Sequence, residues 1–277
     1  MAGVSEVALE LHGVRRTFAA GTTNEVRALQ GVDLILERGE FAILLGTNGS
    51  GKSSLLNAIA GSFPIDRGVI RLEGQDLTQM MEHRRARMIG RVFQDPFMGT
   101  AADLTIAENV ALAMRRGRHF SLRPALGSER MTQIRNQVAS LDLGLEDRLD
   151  TRMGSLSGGQ RQALTLLMAT LVRPSLLMLD EHTAALDPKV AEQVLQRTQE
   201  LIRREGLTTL MVTHSLQQAV RVGDRVLIMH RGQIVQDIKG VRKRRLRVEE
   251  LLDRFEENRN ADLLDAAAAS MVLRNYV

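Results

Sequence analysis

The stretch Glu40–Gly61, EFAILLGTNGSGKSSLLNAIAG, decides the fold of this chain. Phe41–Leu45 is a short apolar run typical of a strand, and Ser53–Ala60 has helical periodicity. Between them, the residues from Gly46 to Ser53 match G-x-x-x-x-G-K-[ST] in full. The glycines let such a loop wrap its backbone N–H groups around phosphate oxygens at the start of a helix. The sequence therefore predicts a P-loop, and a plain glycine-rich connector is the weaker interpretation.

The side chains of this loop suit a nucleotide with bound magnesium. Lys52 is one of four lysines in a chain whose basic residues are mostly arginine, and it supplies a compact charge for the β and γ phosphates. The Ser53 hydroxyl is placed to ligate Mg²⁺. We expect ATP to be bound by Gly46, Asn48, Gly49, Ser50, Gly51, Lys52, Ser53 and Ser54.

An acidic pair follows a second apolar run, in SLLMLDEHTAALDP. Leu176–Leu179 is continuously apolar, as a buried parallel strand should be, and it leads into Asp180 and Glu181. Beside a P-loop, Asp180 would hold Mg²⁺ directly or through water. Glu181 would polarise an attacking water. Acidic pairs commonly end strands, so this pair alone would not indicate a site. The P-loop upstream is what favours a functional role for it.

A second candidate phosphate site lies in SLSGGQRQALTLL, which begins at Ser155. Ser157 suits a helix N-cap, but Gly158 and Gly159 in the first turn lose backbone entropy where alanine would serve better. Glycines at a helix start clear space for an approach to the backbone amides, which attract anions. A simple loop-to-helix turn is the alternative interpretation.

Together these motifs resemble the nucleotide-binding subunit of an ABC transporter, from about residue 9 to about residue 238. The resemblance rests on the order and spacing of the P-loop, Gln94 in RVFQDP, LSGGQ at 156–160, LLMLDE, ALDP at 185–188, and His214 in LMVTHS. It implies an α/β fold, with a RecA-like P-loop NTPase core, an antiparallel β-subdomain and an inserted α-helical subdomain. It also implies an ATPase that uses ATP and Mg²⁺.

The resemblance assigns roles within a head-to-tail homodimer, in which the LSGGQ signature of one subunit caps the ATP of the other. The residues implied to contact ATP in trans are Ser157, Gly158, Gly159, Gln160 and Asp187. The implied catalytic residues are Glu181, His214, Gln94 and Lys52. The implied metal-binding residues are Ser53, Gln94 and Asp180.

Three positions depart from the family or are ambiguous. Phe18 is the candidate for the aromatic that stacks on adenine, where the family more often has tyrosine, and Arg16 or Val26 are alternatives. Thr47 and His182 stand where proline is usual. Neither departure removes a catalytic group, and we expect His182 to be structural although it adjoins the presumed base.

The resemblance also suggests a division of the chain. We expect the β-subdomain and first part of the core at 1–95, the helical subdomain at 96–160, the rest of the core at 161–240, and a C-terminal helical tail at 241–277. Thr105 and Glu108 have capping-box spacing at the start of a helix. We interpret 115–127 as a loop, 239–247 as a solvated basic tail, and 248–255 as an amphipathic helix.

Composition excludes several classes of protein. The chain has 277 residues and no cysteine, which removes disulfide frameworks, thiolate metal sites and a cysteine nucleophile and fits a reducing compartment. Residues 1–6 lack a basic region followed by an apolar one, so we expect no secretory signal. The apolar run 163–172 is about half the length of a spanning helix. The sequence pI near 10.0 reflects a small net charge of +4 with few groups titrating in between, so we expect no nucleic-acid partner.

The expected function is ATP hydrolysis that powers transport across the bacterial inner membrane, with the subunit peripheral on its cytoplasmic face. GRVFQDPFMGTAADLTIAENVALAMRRG and DEHTAALDP resemble uptake ATPases for amino acids or similar small solutes. The expected partners are a second copy of the chain and polytopic permease subunits, with an extracytoplasmic substrate-binding protein as a further candidate. An exporter or lipid-trafficking ATPase is the alternative, and a non-transport ABC ATPase is a third.

Overall fold

The computed structural model describes residues 6–117 and 126–255. The strands are β1 (Val7–Phe18), β2 (Val26–Glu37), β3 (Phe41–Leu45), β4 (Arg67–Leu72), β5 (Gln75–Asp76), β6 (Ile89–Val92), β7 (Leu176–Asp180), β8 (Thr209–Val212), β9 (Arg225–His230) and β10 (Gln233–Lys239). The α-helices are α1 (Lys52–Ala60), α2 (Glu82–Arg85), α3 (Ile106–Ala113), α4 (Ser128–Ala139), α5 (Gly158–Thr170), α6 (Pro188–Glu205), α7 (Leu216–Arg221) and α8 (Val241–Arg245). A short 3₁₀ turn at Met153–Ser155 precedes α5.

The larger sheet places the functional residues. Its order is β10-β9-β3-β8-β7-β6, with β9 to β6 parallel and β10 antiparallel at the edge. All residues of β3 and β8 are buried, as expected for strands covered on both faces. Parallel strands end at the same edge of a sheet, so the segments after β3, β7 and β8 meet there. These segments are the P-loop, Glu181 and His214.

The smaller sheet is antiparallel, with the order β2-β1-β4-β5. The strand pair predicted around GVIRLEGQDL is present as β4 and β5, and β4 pairs with β1. One hydrophobic cluster contains Leu11 of this sheet, Leu44 of the larger sheet and Leu56 of α1. The P-loop helix is therefore packed into a core that both sheets share.

The inserted helices form a cluster of their own. It draws on α3, α4 and α5 through residues such as Val110, Ile134 and Leu164. The predicted capping box is confirmed, because Thr105 Oγ1 accepts from Glu108 N at 3.2 Å and Glu108 Oε2 accepts from Thr105 N at 2.7 Å. Helix α5 is continuous through residue 160 and also contributes to the core beneath the larger sheet.

The basic stretch 239–247 matches its prediction as a solvated tail only in part, because most of its cations are exposed but the stretch is folded and Lys243 is buried. Lys239 ends β10, and α8 follows it. Lys243 is buried and its Nζ donates to Val220 O at 2.8 Å, just before the end of α7. Leu246 packs into the core beneath the larger sheet. The ammonium satisfies a backbone carbonyl while its aliphatic stem covers apolar surface, so this cation folds inward.

The part after α8 agrees with the sequence, since residues 248–255 are helical. Most of the predicted loop at 115–127, and the tail from 256 onward, lie outside the described residues. In the described ranges, the helices lack the combination of length and apolar character that crossing a membrane requires.

Candidate functional site

The P-loop is held by its own backbone and by the sheet. Gly51 precedes α1 with φ 103°, and a Cβ there would lie 2.5 Å from Ala28 O, so only glycine fits. Lys52 is buried, and its Nζ donates to Gly46 O at 2.8 Å and to Thr47 O at 3.0 Å. The loop carbonyls thus hold the ammonium in place at the start of the helix.

The acidic pair lies at the end of β7. Glu181 has φ 44°, a strained conformation for a residue with a side chain, and its N–H donates to Val212 O at 3.0 Å. Its Oε2 lies 3.3 Å from Nδ1 of His214. The Glu181 side chain is largely buried, whereas that of His214 is mostly exposed. The structure therefore brings a carboxylate and an imidazole together at this edge of the sheet.

Buried charges in the site stabilise one another. Burial lowers the pKa of Lys52, and the nearby Glu181 and Asp180 oppose that shift. Burial also raises the pKa of Asp180, while the cations Arg91 and Lys52 act in the opposite direction. Lys52 and Asp180 are each close to an opposite charge that favours the ionised form, so an ammonium and a carboxylate can both remain charged although each is partly buried.

These elements line a cleft of about 1040 Å³. The predicted site residues that line it are Phe18, Asn48, Gly49, Gly51, Lys52, Ser53, Ser54, Gln94, Glu181 and His214. Gly46, Ser50 and Asp180 do not line it. The hydroxyl oxygen of Ser50 is buried and has no hydrogen-bond partner among the described residues. The cleft gathers most of the predicted P-loop residues with residues from the ends of β6, β7 and β8.

An aromatic pair includes Phe18 of the cleft lining. The rings of Phe18 and Phe63 are 5.1 Å apart in an edge-to-face arrangement. The Arg16 guanidinium lies 4.9 Å from the Phe18 ring centre and is bound to Asp66 at 3.0 Å. Phe18 and the exposed Val26 line the cleft, and Arg16 does not.

The oxygen donors around the cleft fit a magnesium ion. The Ser53 hydroxyl and the Gln94 amide belong to the cleft lining. The Asp180 carboxylate is close enough to Lys52 to interact with it electrostatically. Hydroxyl, amide and carboxylate oxygens are the hard ligands that Mg²⁺ takes when it is bound beside phosphates. No cluster of three or more His, Cys, Asp or Glu side chains that could hold a metal occurs in the described ranges.

The signature residues lie elsewhere in the chain. Ser157 caps α5 in a capping box with Gln160, with N···O distances of 3.3 and 3.2 Å. Ser157, Gly158 and Asp187 are exposed. Asp187 caps α6 by accepting from Val190 N at 3.1 Å. None of the five residues implied to act in trans lines the cleft: Ser157, Gly158, Gly159, Gln160 and Asp187.

Sequence reasoning missed Arg91, which lies in β6 three residues before Gln94. Its Nη2 donates to Asn57 Oδ1 of α1 at 2.7 Å and lies 3.7 Å from Asp180 Oδ2. Its guanidinium carbon is 4.5 Å from the Phe93 ring centre. The signal was an arginine inside an apolar strand, where an unpaired charge would not be tolerated. Arg91 joins the P-loop helix to the acidic strand.

Arg91→Met is expected to lower the free energy of unfolding by about 2 kcal/mol, because it leaves Asp180 and Asn57 without their charged partner. Urea denaturation of the nucleotide-free protein measures the change. Arg71→Met removes a more exposed arginine, paired with Glu10 at 3.7 Å, and is the matched control. Equal stabilities of the two variants would show that Arg91 does not stabilise the contact between α1 and β7.

His182 is structural in its contacts. It is 1% exposed, and its Nε2 lies 3.2 Å from Thr198 Oγ1. The Thr198 hydroxyl donates to Val194 O at 2.8 Å, so the imidazole Nε2–H is the donor to Thr198. Burial lowers the pKa of His182 to about 4. The ring is therefore neutral in the folded protein over the physiological range.

This shift makes folding sensitive to acid. The unfolded chain protonates His182 below its ordinary pKa, whereas the folded chain does not until about pH 4. Stability is therefore complete above the ordinary pKa and falls as the pH drops toward the folded value. From about pH 7.5 to about pH 5, we expect wild type to lose about 2 kcal/mol more than His182→Leu. Equal losses in urea denaturation would contradict a buried, neutral His182.

Comparison with known proteins agrees with this geometry. Residues 29–184 match the family described as ABC transporter. The tyrosine transport ATP-binding protein of Clostridioides difficile (strain R20291) is 38% identical over 248 residues, which cover 90% of this chain and 98% of that protein. The lipoprotein-releasing system ATP-binding protein LolD of Ruegeria sp. (strain TM1040) is 36% identical over 241 residues, which cover 84% of this chain and 100% of that protein.

A solved structure is also similar to this chain in fold. The dimeric ATP-binding cassette MJ0796, in a post-hydrolysis state bound to ADP and Pi, superposes with a TM-score of 0.71 at 28% identity. The match covers 83% of this chain and 98% of that one. The sequence match, the P-loop cleft and the fold all indicate the same family. The chain belongs to the ABC transporter family and is an ATP-binding subunit that hydrolyses ATP.

Proposed function

We propose that this ATPase powers uptake of an amino acid or a similar small solute, working on the cytoplasmic face of a bacterial inner membrane beneath permease subunits. The observation that carries the proposal is the 38% identity to a tyrosine transport ATP-binding protein over 90% of the chain. That similarity extends over nearly the whole of both proteins. It therefore includes the surfaces beyond the cleft that a permease would contact.

The cleft supports a division of roles around ATP. The P-loop amides and Lys52 hold the β and γ phosphates, and Ser53 and Ser54 continue this cradle into α1. Phe18 stacks on the adenine, with Val26 beside it. The Phe18 ring is held in place for stacking by its contacts with Phe63 and Arg16.

The residues after β7 and β8 carry out hydrolysis. Glu181 accepts a proton from a water molecule, which attacks the γ-phosphorus in line with the departing ADP oxygen. His214, 3.3 Å from Glu181, contacts the γ-phosphate and orients the carboxylate. Ser53, Gln94 and Asp180 would hold Mg²⁺, which neutralises charge on the phosphates when bound. Lys52 adds fixed positive charge where negative charge develops.

A head-to-tail dimer completes the site. Ser157, Gly158 and Asp187 are exposed and lie outside the cleft of their own chain, so they are available to a second copy. There Ser157 and the amides of Gly158 and Gly159, at the positive end of α5, would close over the γ-phosphate, with Gln160 and Asp187 beside them. The dimeric state of the MJ0796 cassette supports this arrangement.

A second candidate function is release of a lipid-modified cargo. The observation that favours it is the 36% identity to LolD of a lipoprotein-releasing system, which the chain matches along its full length. The cleft chemistry would be identical, because cargo is selected by other subunits. The two functions differ in what is transported and in its direction.

Purification of the tagged chain from detergent-solubilised membranes tests the transport role. A stoichiometric polytopic membrane protein is the expected result, and recovery of ribosomes, nucleic acid or assembly factors instead would contradict it. Uptake of labelled tyrosine by cells with and without the subunit then separates the two candidates. Unchanged amino-acid uptake with lipoproteins retained in the inner membrane would favour the release function.

A further inference from the structure

The N-termini of α5 and α6 pack against each other, and glycines form the contact on one side. A Cβ placed on Gly159 would lie 2.3 Å from Cγ1 and 3.8 Å from Cβ of Val190. A Cβ on Gly158 would lie 3.0 Å from Cδ2 of Leu186. The Val190 methyl group therefore occupies the space that any side chain at Gly159 would need.

Val190 cannot easily move away. It is the third residue of α6, and its N–H donates to the capping carboxylate of Asp187 at 3.1 Å. Pro188, at the first position of the helix, fixes the backbone entering this turn. A valine in a helix has one strongly preferred side-chain rotamer. The turn that holds Asp187 therefore also holds the methyl group against Gly159.

We propose that Val190 is a positioning residue that interlocks with Gly159 and makes the signature turn and the Asp187 turn of one chain move as a single body. The inference rests on the proposed dimer, in which both turns reach the second copy. A shift of Asp187 at the interface then displaces Ser157 by the same motion. The interlock gives each subunit one rigid element for closing over its partner's nucleotide.

This assigns Gly159 a different reason for lacking a side chain. If a phosphate must approach its amide, any side chain at this position is harmful whatever lies on α6. If Val190 fills the space, shortening Val190 makes room for a side chain at Gly159. The two explanations make opposite predictions for a double variant.

The test compares the ATPase rates of Gly159→Ala, Val190→Ala and the double variant. Gly159→Ala is expected to lower the rate about tenfold or more, because a small misplacement of the signature is enough to disrupt alignment. The double variant is expected to recover to within about threefold of Val190→Ala. ATP binding to each isolated chain should stay unchanged, since the cleft of the same chain is not touched. A double variant as slow as Gly159→Ala, or a Gly159→Ala with the wild-type rate, would overturn the interlock.

Gly158→Ala is the matched control, because its nearest side chain is Leu186 rather than Val190. Val190→Ala should not rescue it. Rescue of both glycine variants would mean that Val190→Ala acts by general loosening, and would also overturn the proposal. The same variants in a Glu181→Gln background report ATP-driven dimer formation by size-exclusion chromatography. If Glu181→Gln alone does not form the dimer with ATP, the proposed head-to-tail dimer is contradicted. If it forms the dimer but Val190→Ala does not rescue Gly159→Ala, only the interlock is contradicted.

A disulfide provides a second test, which remains decisive if Gly159→Ala does not fold. The chain has no cysteine, and the separation of 3.8 Å between the two Cβ positions is that of a normal disulfide. Gly159→Cys/Val190→Cys also removes the clashing methyl group. We expect the oxidised protein to keep the ATPase rate of its reduced form to within about twofold. The reason is that the signature turn and the Asp187 turn do not separate during the cycle, so a covalent link between them does no harm. Loss of the rate on oxidation, restored by reductant, would show that the two turns must separate.

Discussion

Glu181→Gln is expected to bind ATP, form a stable dimer and hydrolyse ATP roughly a hundredfold or more slowly than wild type, since it removes a proton acceptor while keeping the shape of the side chain. The strained φ of 44° and the hydrogen bond to Val212 O should persist, because both belong to the backbone. The loss is therefore one of chemistry rather than of folding. Steady-state ATPase assays and size-exclusion chromatography with ATP measure the two effects.

Glu249→Gln, at an exposed position outside the cleft, is the control for this variant. It should hydrolyse ATP at the wild-type rate. A wild-type rate in Glu181→Gln would remove Glu181 from the role of base. His214 would then become the first alternative to examine, because it lines the same cleft and its Nδ1 lies 3.3 Å from Glu181 Oε2.

Lys52→Met is expected to weaken ATP binding about a hundredfold, or about 3 kcal/mol, because it removes a charge-assisted contact to phosphate at a buried position. Two further consequences follow from the structure. The carbonyls of Gly46 and Thr47 lose their donor, which loosens the loop. Asp180 loses one of the two cations that lower its pKa.

Titration with a fluorescent ATP analogue measures this affinity. Lys239→Met, an exposed lysine at the end of β10, is the matched control and should bind ATP as wild type does. An unchanged affinity in Lys52→Met would mean that the backbone amides alone hold the phosphates. ATP hydrolysis would then separate binding from catalysis, since a loss of rate without a loss of affinity places Lys52 in the transition state only.

Much of the candidate site could be predicted from the sequence, because its motifs are formed by residues that are close together in the chain. The P-loop, the acidic pair after β7 and the capping box at Thr105 each depend on residues close together in the chain. The apolar run predicted as a strand, Phe41–Leu45, coincides with the observed bounds of β3. The convergence of the P-loop, Glu181 and His214 also follows from the rule that parallel strands end at one edge of a sheet.

What sequence did not reveal depends on distant contacts. Lys243 looked like part of a solvated basic run, but it is buried and its Nζ donates to Val220 O, a residue far away in sequence. Arg91 gave no sign of its partners, which come from α1 and β7. The space beside Gly159 is filled by a residue of α6, so the composition of the signature could not tell a phosphate approach from a helix contact.

The exposed position of the signature outside its own cleft has a kinetic consequence. In the proposed dimer, each subunit supplies half of each active site, so at low concentration the total rate of ATP hydrolysis should rise with the square of the subunit concentration. Two subunits held on one permease would experience a fixed, high effective concentration and lose that dependence. Free subunits would then consume little ATP, and assembly on the membrane partner would itself switch on hydrolysis.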